Sequence, residues 1–436
     1  MPESALAIGF VGLGVLVALL LLRVPIAAAL GLVAVVGVWV LVGTRAAWGL
    51  LASIPYDFVA HWSLSSIPMF LLMGYVSHRA GLTEGLFRAA RLWFARHPGG
   101  LAVTTVVGSA MFSAVTGSSV ACAAAMARIA LPEMLRHRYD PALATGAVAA
   151  AGTIGSLIPP SIILLIYGIF AEVPIGKLFL AGLIPGLLTA AMYIVMIIVR
   201  VRLRPALAPA IDQRPEAGER LAALSDTWPV LLLIVTVFGG LFGGLFTPTE
   251  AGAVGALLAI LLGAGRRALK PAALRDAVAE TLRSTAAIFI IAVGAALLTR
   301  FLALSGVPAF LTDNVAQAAT SGLFLVLGFS LVYLVLGMFL DPIGIMLLTL
   351  PVLLPVAKAS GLDLIWLGIV VTKYLEIGLI TPPIGLNVFV IRSAAPDIAT
   401  GTIFRGITWF VVADLITVGL LIAFPQISLW LPGLLD

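Results

Sequence analysis

The 436-residue chain has little of what most enzymes use for chemistry. It contains one cysteine and four histidines, and only 10% of its residues are charged. A single cysteine cannot close an intrachain disulfide, and the histidines do not follow metal-ligand spacing. The sequence also lacks Ser-His-Asp arrangements, phosphate-binding glycine loops and zinc motifs. We therefore expect no enzyme activity and no resident cofactor.

Long apolar runs are what the chain has instead. Hydrophobic residues make up 61% of the sequence, and the mean hydropathy is +1.17. At roughly 20 residues per span, these runs predict an all-α polytopic membrane protein with about 11 spanning helices and two re-entrant hairpins. The first run, 5–22, is expected to stay as a helix and to target the chain itself to a membrane.

The net charge of +5 is concentrated in two loops. Basic residues crowd 200–220 and 266–283, so we expect both loops in the cytoplasm and the amino terminus on the opposite side of the membrane. A basic loop on a membrane protein reflects topology. We therefore expect the chain to interact with the lipid bilayer and not with nucleic acid. We expect the polar stretch 206–227 to be a cytoplasmic linker between a first half, 1–205, and a second half, 228–436.

Two proline pairs indicate an internal repeat. They stand at 159–160 and 382–383, and the offset between them is the same as the offset between Asp140 and Asp363. A proline lacks the amide that would bond the carbonyl four residues earlier, so each pair predicts a broken helix. Paired helix breaks in corresponding halves point to the binding site of a transporter.

The carbonyls freed by these prolines are expected at Gly155 and Ser156 in the first half, and at Gly378 and Leu379 in the second. Bare carbonyls cannot face lipid, so they must be buried in protein or line a water-filled cavity. The two breaks are therefore expected to lie beside a polar site within the membrane.

Small hydroxylated residues precede the first break. The sequence GSSVA at 117–121 predicts an unwound turn and a helix start. Sodium favours oxygen ligands, so the hydroxyls of Ser118 and Ser119 would combine well with a carbonyl near Gly155. Close helix packing by small residues is the alternative, and the segment taken alone favours it. Its pairing with 152–153 and the proline break favours a site.

Asp341 is the only charged residue of the apolar stretch 323–356. A carboxylate within a span costs about 2.5–3.5 kcal/mol on insertion scales, so it should face protein, water or a cation. Cation binding, a proton relay and ordering of the broken helix are its three functional interpretations. The structural alternative places it at the end of a span. Lys373 and Glu376, three positions apart on a helix, are expected to pair for structural reasons.

Three further segments carry structural expectations. Ser65 and Ser66 are placed at the tip of the first re-entrant hairpin, and 289–304 is assigned to the second hairpin. The segment 270–283, which starts with a proline and spreads its charges around apolar residues, is expected to lie along the membrane surface.

The ordered motifs resemble the large membrane subunit, of the DctM type, of a tripartite ATP-independent periplasmic (TRAP) transporter. The residues that carry this resemblance span most of the chain and lie at 117–121, 131–134, 139–146, 152–161, 177–182, 247–251, 341–342 and 376–387. The resemblance implies the inverted-repeat fold of the ion transporter superfamily, in which a transport domain moves like an elevator against a scaffold.

The same resemblance implies sodium-coupled secondary import of a small carboxylate, such as a C4-dicarboxylate. A periplasmic solute-binding protein would deliver the substrate, and a separate small four-helix membrane subunit would be the partner, since the length leaves no room for a fused one. The alternatives are a stand-alone sodium-dicarboxylate or citrate symporter of the same superfamily and, from another class, a channel-like or structural membrane component.

The resemblance and the freed carbonyls agree on the predicted site. Sodium, as the coupling ion, is expected near Gly117, Ser118, Ser119, Gly155, Pro159, Asp341, Gly378, Thr381 and Pro382. The substrate is expected to contact Ser118, Ser119, Thr153 and Asn387.

Overall fold

The computed structural model describes residues 3–209, 217–317 and 322–435, and it contains helices without a β-strand in these ranges. The predicted linker falls partly outside them, at 210–216. The first ten helices are α1 (Glu3–Leu21), α2 (Ile26–Val42), α3 (Thr44–Val59), α4 (Ser66–Arg79), α5 (Glu84–Phe94), α6 (Gly100–Thr116), α7 (Ser119–Arg136), α8 (Pro141–Thr153), α9 (Ile162–Ala171) and α10 (Ile175–Leu203).

The helices that follow begin within the predicted linker. They are α11 (Ala217–Ser225), α12 (Trp228–Phe242), α13 (Pro248–Gly265), α14 (Pro271–Ser305), α15 (Val307–Gln317), α16 (Gly322–Gly337), α17 (Pro342–Ala359), α18 (Leu364–Ile380), α19 (Leu386–Ala394), α20 (Thr400–Ala423) and α21 (Gln426–Leu429). Because α11 lies inside 206–227, the linker is helical over part of its length.

The described helices fit a multi-pass membrane protein. Six of them are long and apolar enough to cross a membrane, or up to eight if each of two bent pairs forms one span. This count is lower than the expected 11 or so, because apolar helices such as α2 and α9 are shorter than the roughly 20 residues of a full span. The predicted class, an all-α polytopic membrane protein with broken helices, is confirmed.

Helices in the two halves begin at corresponding places. Asp140 caps α8 and Asp363 caps α18, each accepting a hydrogen bond at 2.9 Å from the amide three positions on. Ser118 caps α7 at 3.4 Å and Asp341 caps α17 at 2.9 Å in the same way. The two members of each pair are separated by the same offset as the proline pairs. The division of the chain at 205 and 228 stays a prediction.

Both predicted breaks are present. Between α8 and α9 the chain leaves the α-helix over 154–161, and between α18 and α19 it does so over 381–385. The bonds Pro159-Pro160 and Pro382-Pro383 are cis. One expectation needs correction: the carbonyl of Gly378 accepts the amide of Thr381 at 3.2 Å and is therefore not free. This amide replaces the donor that the prolines lack.

Two helical hairpins lie before the two breaks. In the first, α6 and α7 are joined by Gly117 and Ser118 alone. In the second, the hydroxyl of Tyr333 on α16 lies 2.5 Å from that of Thr349 on α17, so the chain turns back between them. We refer to 117–118 as the first tip and to 338–341 as the second tip.

These positions correct three expectations. The segment 289–304 is not a hairpin, because it lies within the continuous helix α14. The segment 270–283 is the start of the same helix and not a separate surface helix. Ser65 and Ser66 follow a 56° bend between Thr44–Val59 and Trp62–Arg79, so they do not form the tip that meets the first break.

The two halves interlock through close helix contacts. A side chain on Gly406 of α20 would collide with the carbonyl of Ala142 on α8, and a Cβ on Gly146 would lie 2.5 Å from the Gly406 carbonyl carbon. Small residues of this kind let membrane helices approach at backbone distance. Helix α8 of the first half is thus held against α20 of the second.

Candidate cation and substrate site

The first tip packs directly on the first break. Gly117 has a left-handed backbone (φ 60°), and a side chain there would collide with the carbonyl oxygen of Pro160. A Cβ on Gly155 would lie 3.2 Å from the backbone nitrogen of Ser119 and from the hydroxyl of Ser113. Glycine is thus required at position 117, and glycine at position 155 favours the close approach that brings Gly117, Ser119 and Gly155 together.

The ends of α16 and α18, next to the second tip and the second break, are also in close contact. A Cβ on Gly378 of α18 would lie 2.6 Å from Cα of Gly337, where α16 ends. The hydroxyl of Thr381 donates to the carbonyl of Ile377 at 2.6 Å, which holds the end of α18. Gly337 was not predicted from the sequence, because its role depends on a neighbour on a different helix, far along the chain.

A central cavity of about 430 Å³ lies between the tips and the breaks. Its polar lining comes from Tyr75, Ser118, Ser119, Ser156, Ser284, Asp341 and Glu376. Among the predicted residues, Gly117, Ser118, Ser119 and Asp341 line it. Gly155, Pro159, Thr381 and Pro382 belong to the breaks beside it, and Gly378 lies in the last turn of α18 before the second break. Apolar side chains such as Ile288 and Leu386 complete the wall.

A second cavity of about 280 Å³ adjoins the central one. The two share Leu71, Tyr75 and Ser118, and the second also contacts Arg128 on α7. Ser118 at the first tip therefore borders both cavities.

Thr153 and Asn387 do not line the central cavity. Thr153 is buried, donates to the carbonyl of Ala150 at 2.6 Å and lies 3.1 Å from the Tyr193 hydroxyl. Asn387 is buried as well, and its amide nitrogen donates to the carbonyl of Ala149 at 3.0 Å. Both residues form contacts between helices, and neither lines the cavity in which the substrate is expected to bind.

The expected pairing of Lys373 with Glu376 is wrong. The Lys373 ammonium lies 2.5 Å from Oδ1 of Asp414 on α20, and the Tyr193 hydroxyl donates to the same oxygen at 2.7 Å. All three side chains are fully buried. Helix α18 packs on α20, so the lysine finds its partner across the helix interface and not along its own helix.

Glu376 is the functional candidate that sequence reasoning missed. Its carboxyl group is buried at the wall of the central cavity, beside the hydroxyls of Ser119 and Ser156. Within the described residues, neither of its oxygens makes a hydrogen bond of good geometry. The sequence offered one signal for this role: Glu376 is an acidic residue two positions before Gly378, one of the predicted cation ligands.

The geometry defines a class of protein. Two helical hairpins meet two broken helices around a polar cavity, inside a chain with several membrane-spanning helices. Broken helices that surround a site in this way are typical of secondary membrane transporters.

The family follows from the sequence profile described as "Tripartite ATP-independent periplasmic transporter, DctM component", which matches residues 13–427. The chain belongs to this family, the large permease subunits of TRAP transporters.

Individual relatives carry different substrates. The chain is 31% identical to the C4-dicarboxylate TRAP transporter large permease protein DctM of Vibrio cholerae serotype O1, over 96% of each chain. It is 33% identical to the sialic acid TRAP transporter large permease protein SiaM of the same organism, over 86% of this chain and 87% of the relative. Family membership therefore leaves the substrate open.

A solved structure shares the fold. The YdaH transporter of Alcanivorax borkumensis superposes with a TM-score of 0.62 at 15% identity, covering 90% of this chain and 91% of that one. This likeness supports the arrangement of helices and says nothing about the substrate.

Proposed function

We propose that this large permease subunit imports a small carboxylate and drives the import with sodium. The observation that carries the proposal is the central cavity. It holds two carboxylates, Asp341 and Glu376, together with serine hydroxyls, and no basic side chain among the described residues that line it. Such an oxygen-rich, negatively charged space suits a hard cation.

The coupling ion is proposed to be sodium, which would bind where each hairpin tip lies against its helix break. The first contact offers Gly117, Ser118, Ser119, Gly155 and Pro159, and the second offers Asp341, Gly378, Thr381 and Pro382. A sodium ion at each contact would neutralise the cavity and hold a hairpin tip against its break.

The substrate is proposed to be a carboxylate because two helix N-termini lie at the cavity. Ser118 and Asp341, the N-cap residues of α7 and α17, both line the cavity, and the amides at a helix start attract anions. Without cations, Asp341 and Glu376 would repel a carboxylate, so sodium should bind first. The C4-dicarboxylate and sialic acid relatives are named for carboxylate substrates.

The transport cycle is proposed to be an elevator movement. The tips and breaks would travel together with their cargo, while the remaining spanning helices stay as a scaffold in the bacterial inner membrane, with the amino terminus in the periplasm. A periplasmic solute-binding protein would deliver the substrate, and a separate small membrane subunit would complete the transporter.

The test is uptake into proteoliposomes that contain this chain with the small subunit. Labelled C4-dicarboxylates, sialic acid and a sulfonate would be offered with and without a sodium gradient and the binding protein. Saturable carboxylate uptake that needs both additions supports the proposal. Uptake without the binding protein would favour a stand-alone symporter, uptake without the gradient would contradict sodium coupling, and unsaturable flux would favour a pore.

A further inference from the structure

Glu376 carries a buried carboxyl group at the wall of the central cavity. The residue is 0% exposed, and within the described residues neither carboxyl oxygen makes a hydrogen bond of good geometry, although the hydroxyls of Ser119 and Ser156 lie beside it. The ammonium of Lys373 is engaged with Asp414. Because an uncompensated buried carboxylate is costly, a charged Glu376 needs a cationic partner, and the described residues beside it supply only hydroxyls and a lysine that is already paired.

The surroundings of Glu376 indicate the kind of partner. Its carboxyl group faces the central cavity beside Ser119 and Ser156, whose hydroxyl oxygens lie 2.8 Å apart. Ser119 in turn packs on Gly155 of the first break. A carboxylate, two hydroxyls and the backbone of a broken helix form a set of oxygen ligands. Hard monovalent cations prefer oxygen ligands, whereas transition metals favour nitrogen and sulfur.

The distribution of charge between the halves strengthens this argument. The first tip and break offer only neutral ligands, such as Ser118, Ser119 and Gly155, whereas the second tip has Asp341. Glu376 belongs to α18 of the second half, yet it faces two serines of the first half. It is therefore placed to provide the charge that the first half lacks.

We propose that Glu376 is a ligand of the first-half cation site and supplies its negative charge from the second half. The inference rests on the proposed sodium coupling and adds a residue and a consequence to it. Since one ligand comes from α18, the first site is complete only when α18 and the first tip are in register. Sodium binding at the first site thus depends on how the two halves are positioned relative to each other.

The test is sodium binding to the purified chain in detergent, without substrate. The unfolding temperature would be followed as sodium replaces choline at constant ionic strength. Glu376→Gln keeps the volume and removes the charge, and it should raise the sodium concentration for half-maximal stabilisation about tenfold or more. Asp363→Asn is the matched control, because Asp363 lies at the start of the same helix and caps it away from the cavity.

Two further variants separate a ligand from a packing residue. Glu376→Asp keeps the charge and should bind sodium more tightly than Glu376→Gln. Ser119→Ala should weaken sodium binding less in the Glu376→Gln background than in the wild type, because both groups would act at one site.

The outcomes are distinguishable. Equal sodium affinity in the wild type and Glu376→Gln would overturn this inference and leave sodium coupling intact. Equal loss in Glu376→Asp and Glu376→Gln, or full additivity with Ser119→Ala, would overturn it as well. A wild-type chain that does not respond to sodium would overturn both this inference and the proposed coupling.

Discussion

The two broken helices begin alike and differ where they break. Asp140 and Asp363 cap them with the same geometry, but residues 154–161 of the first break are all buried, whereas Pro382 and Pro383 of the second are exposed. The first break is thus enclosed by protein and the second is open at its surface. Two copies of one pattern have acquired different surroundings.

The charges differ as well. At the offset that relates the two proline pairs, Ala150 corresponds to Lys373, Thr153 to Glu376, and Ser118 to Asp341. In each of these pairs, the charged residue lies in the second half. The first half contributes close packing and neutral oxygens, and the second contributes the charges. Four substitutions test this division between the halves.

Lys373→Met should be the most damaging change. It leaves Asp414 fully buried with the Tyr193 hydroxyl as its remaining hydrogen-bond partner among the described residues, and breaking a buried ion pair in this way costs about 3–5 kcal/mol. The measurement is the unfolding temperature of the purified protein in detergent. Adding Asp414→Leu should recover part of the loss, because the second change removes the uncompensated charge. A loss no larger than that of exposed Lys358→Met would contradict the prediction.

Asp341→Asn should lower sodium-dependent uptake at least about tenfold, which corresponds to roughly 1.4 kcal/mol. Asparagine is a good helix cap, so α17 should still form and the protein should still insert. Asp363→Asn removes the same charge from the same kind of cap outside the cavity, and it should leave uptake close to that of the wild type. Equal uptake by the two variants would show that Asp341 acts only as a cap.

Gly117→Ala should destabilise the protein by about 1–3 kcal/mol, the usual cost of overpacking. Its new methyl group would collide with the carbonyl of Pro160. Gly361→Ala is the control, since Gly361 also has a positive φ (67°) but has open space around it. The difference between their unfolding temperatures isolates the contact between tip and break. The same temperature for both variants would mean that only backbone strain matters.

Ser119→Ala should have the smallest effect, a loss of about 0.5–1.5 kcal/mol from its contact with the hydroxyl of Ser156. Uptake at limiting sodium should fall several-fold less than for Asp341→Asn, because a neutral oxygen is lost and not a charge. Ser393→Ala, on an exposed part of α19, serves as the reference. A larger loss for Ser119→Ala than for Asp341→Asn would reverse the proposed division between the halves.

Features that depend on neighbours in the sequence could be predicted well. Proline removes a backbone donor wherever it stands, so the breaks at 159–160 and 382–383 follow from the sequence. The caps at Asp140 and Asp363 act within one helical turn, and they could be recognised by type and spacing. The hairpins were harder to place, because 289–304 and 323–337 are both apolar and the choice between them depends on where the chain turns back.

Apolar length and missing amide donors are local properties, so a polytopic membrane protein with two corresponding helix breaks can be predicted from the amino-acid sequence. The surroundings of those breaks are set by the tertiary structure. It paired Lys373 with Asp414 and not with Glu376, placed Ser119 beside Ser156, and put Glu376 at the wall of a cavity formed by both halves. These contacts join distant segments, and the packing of whole helices selects them.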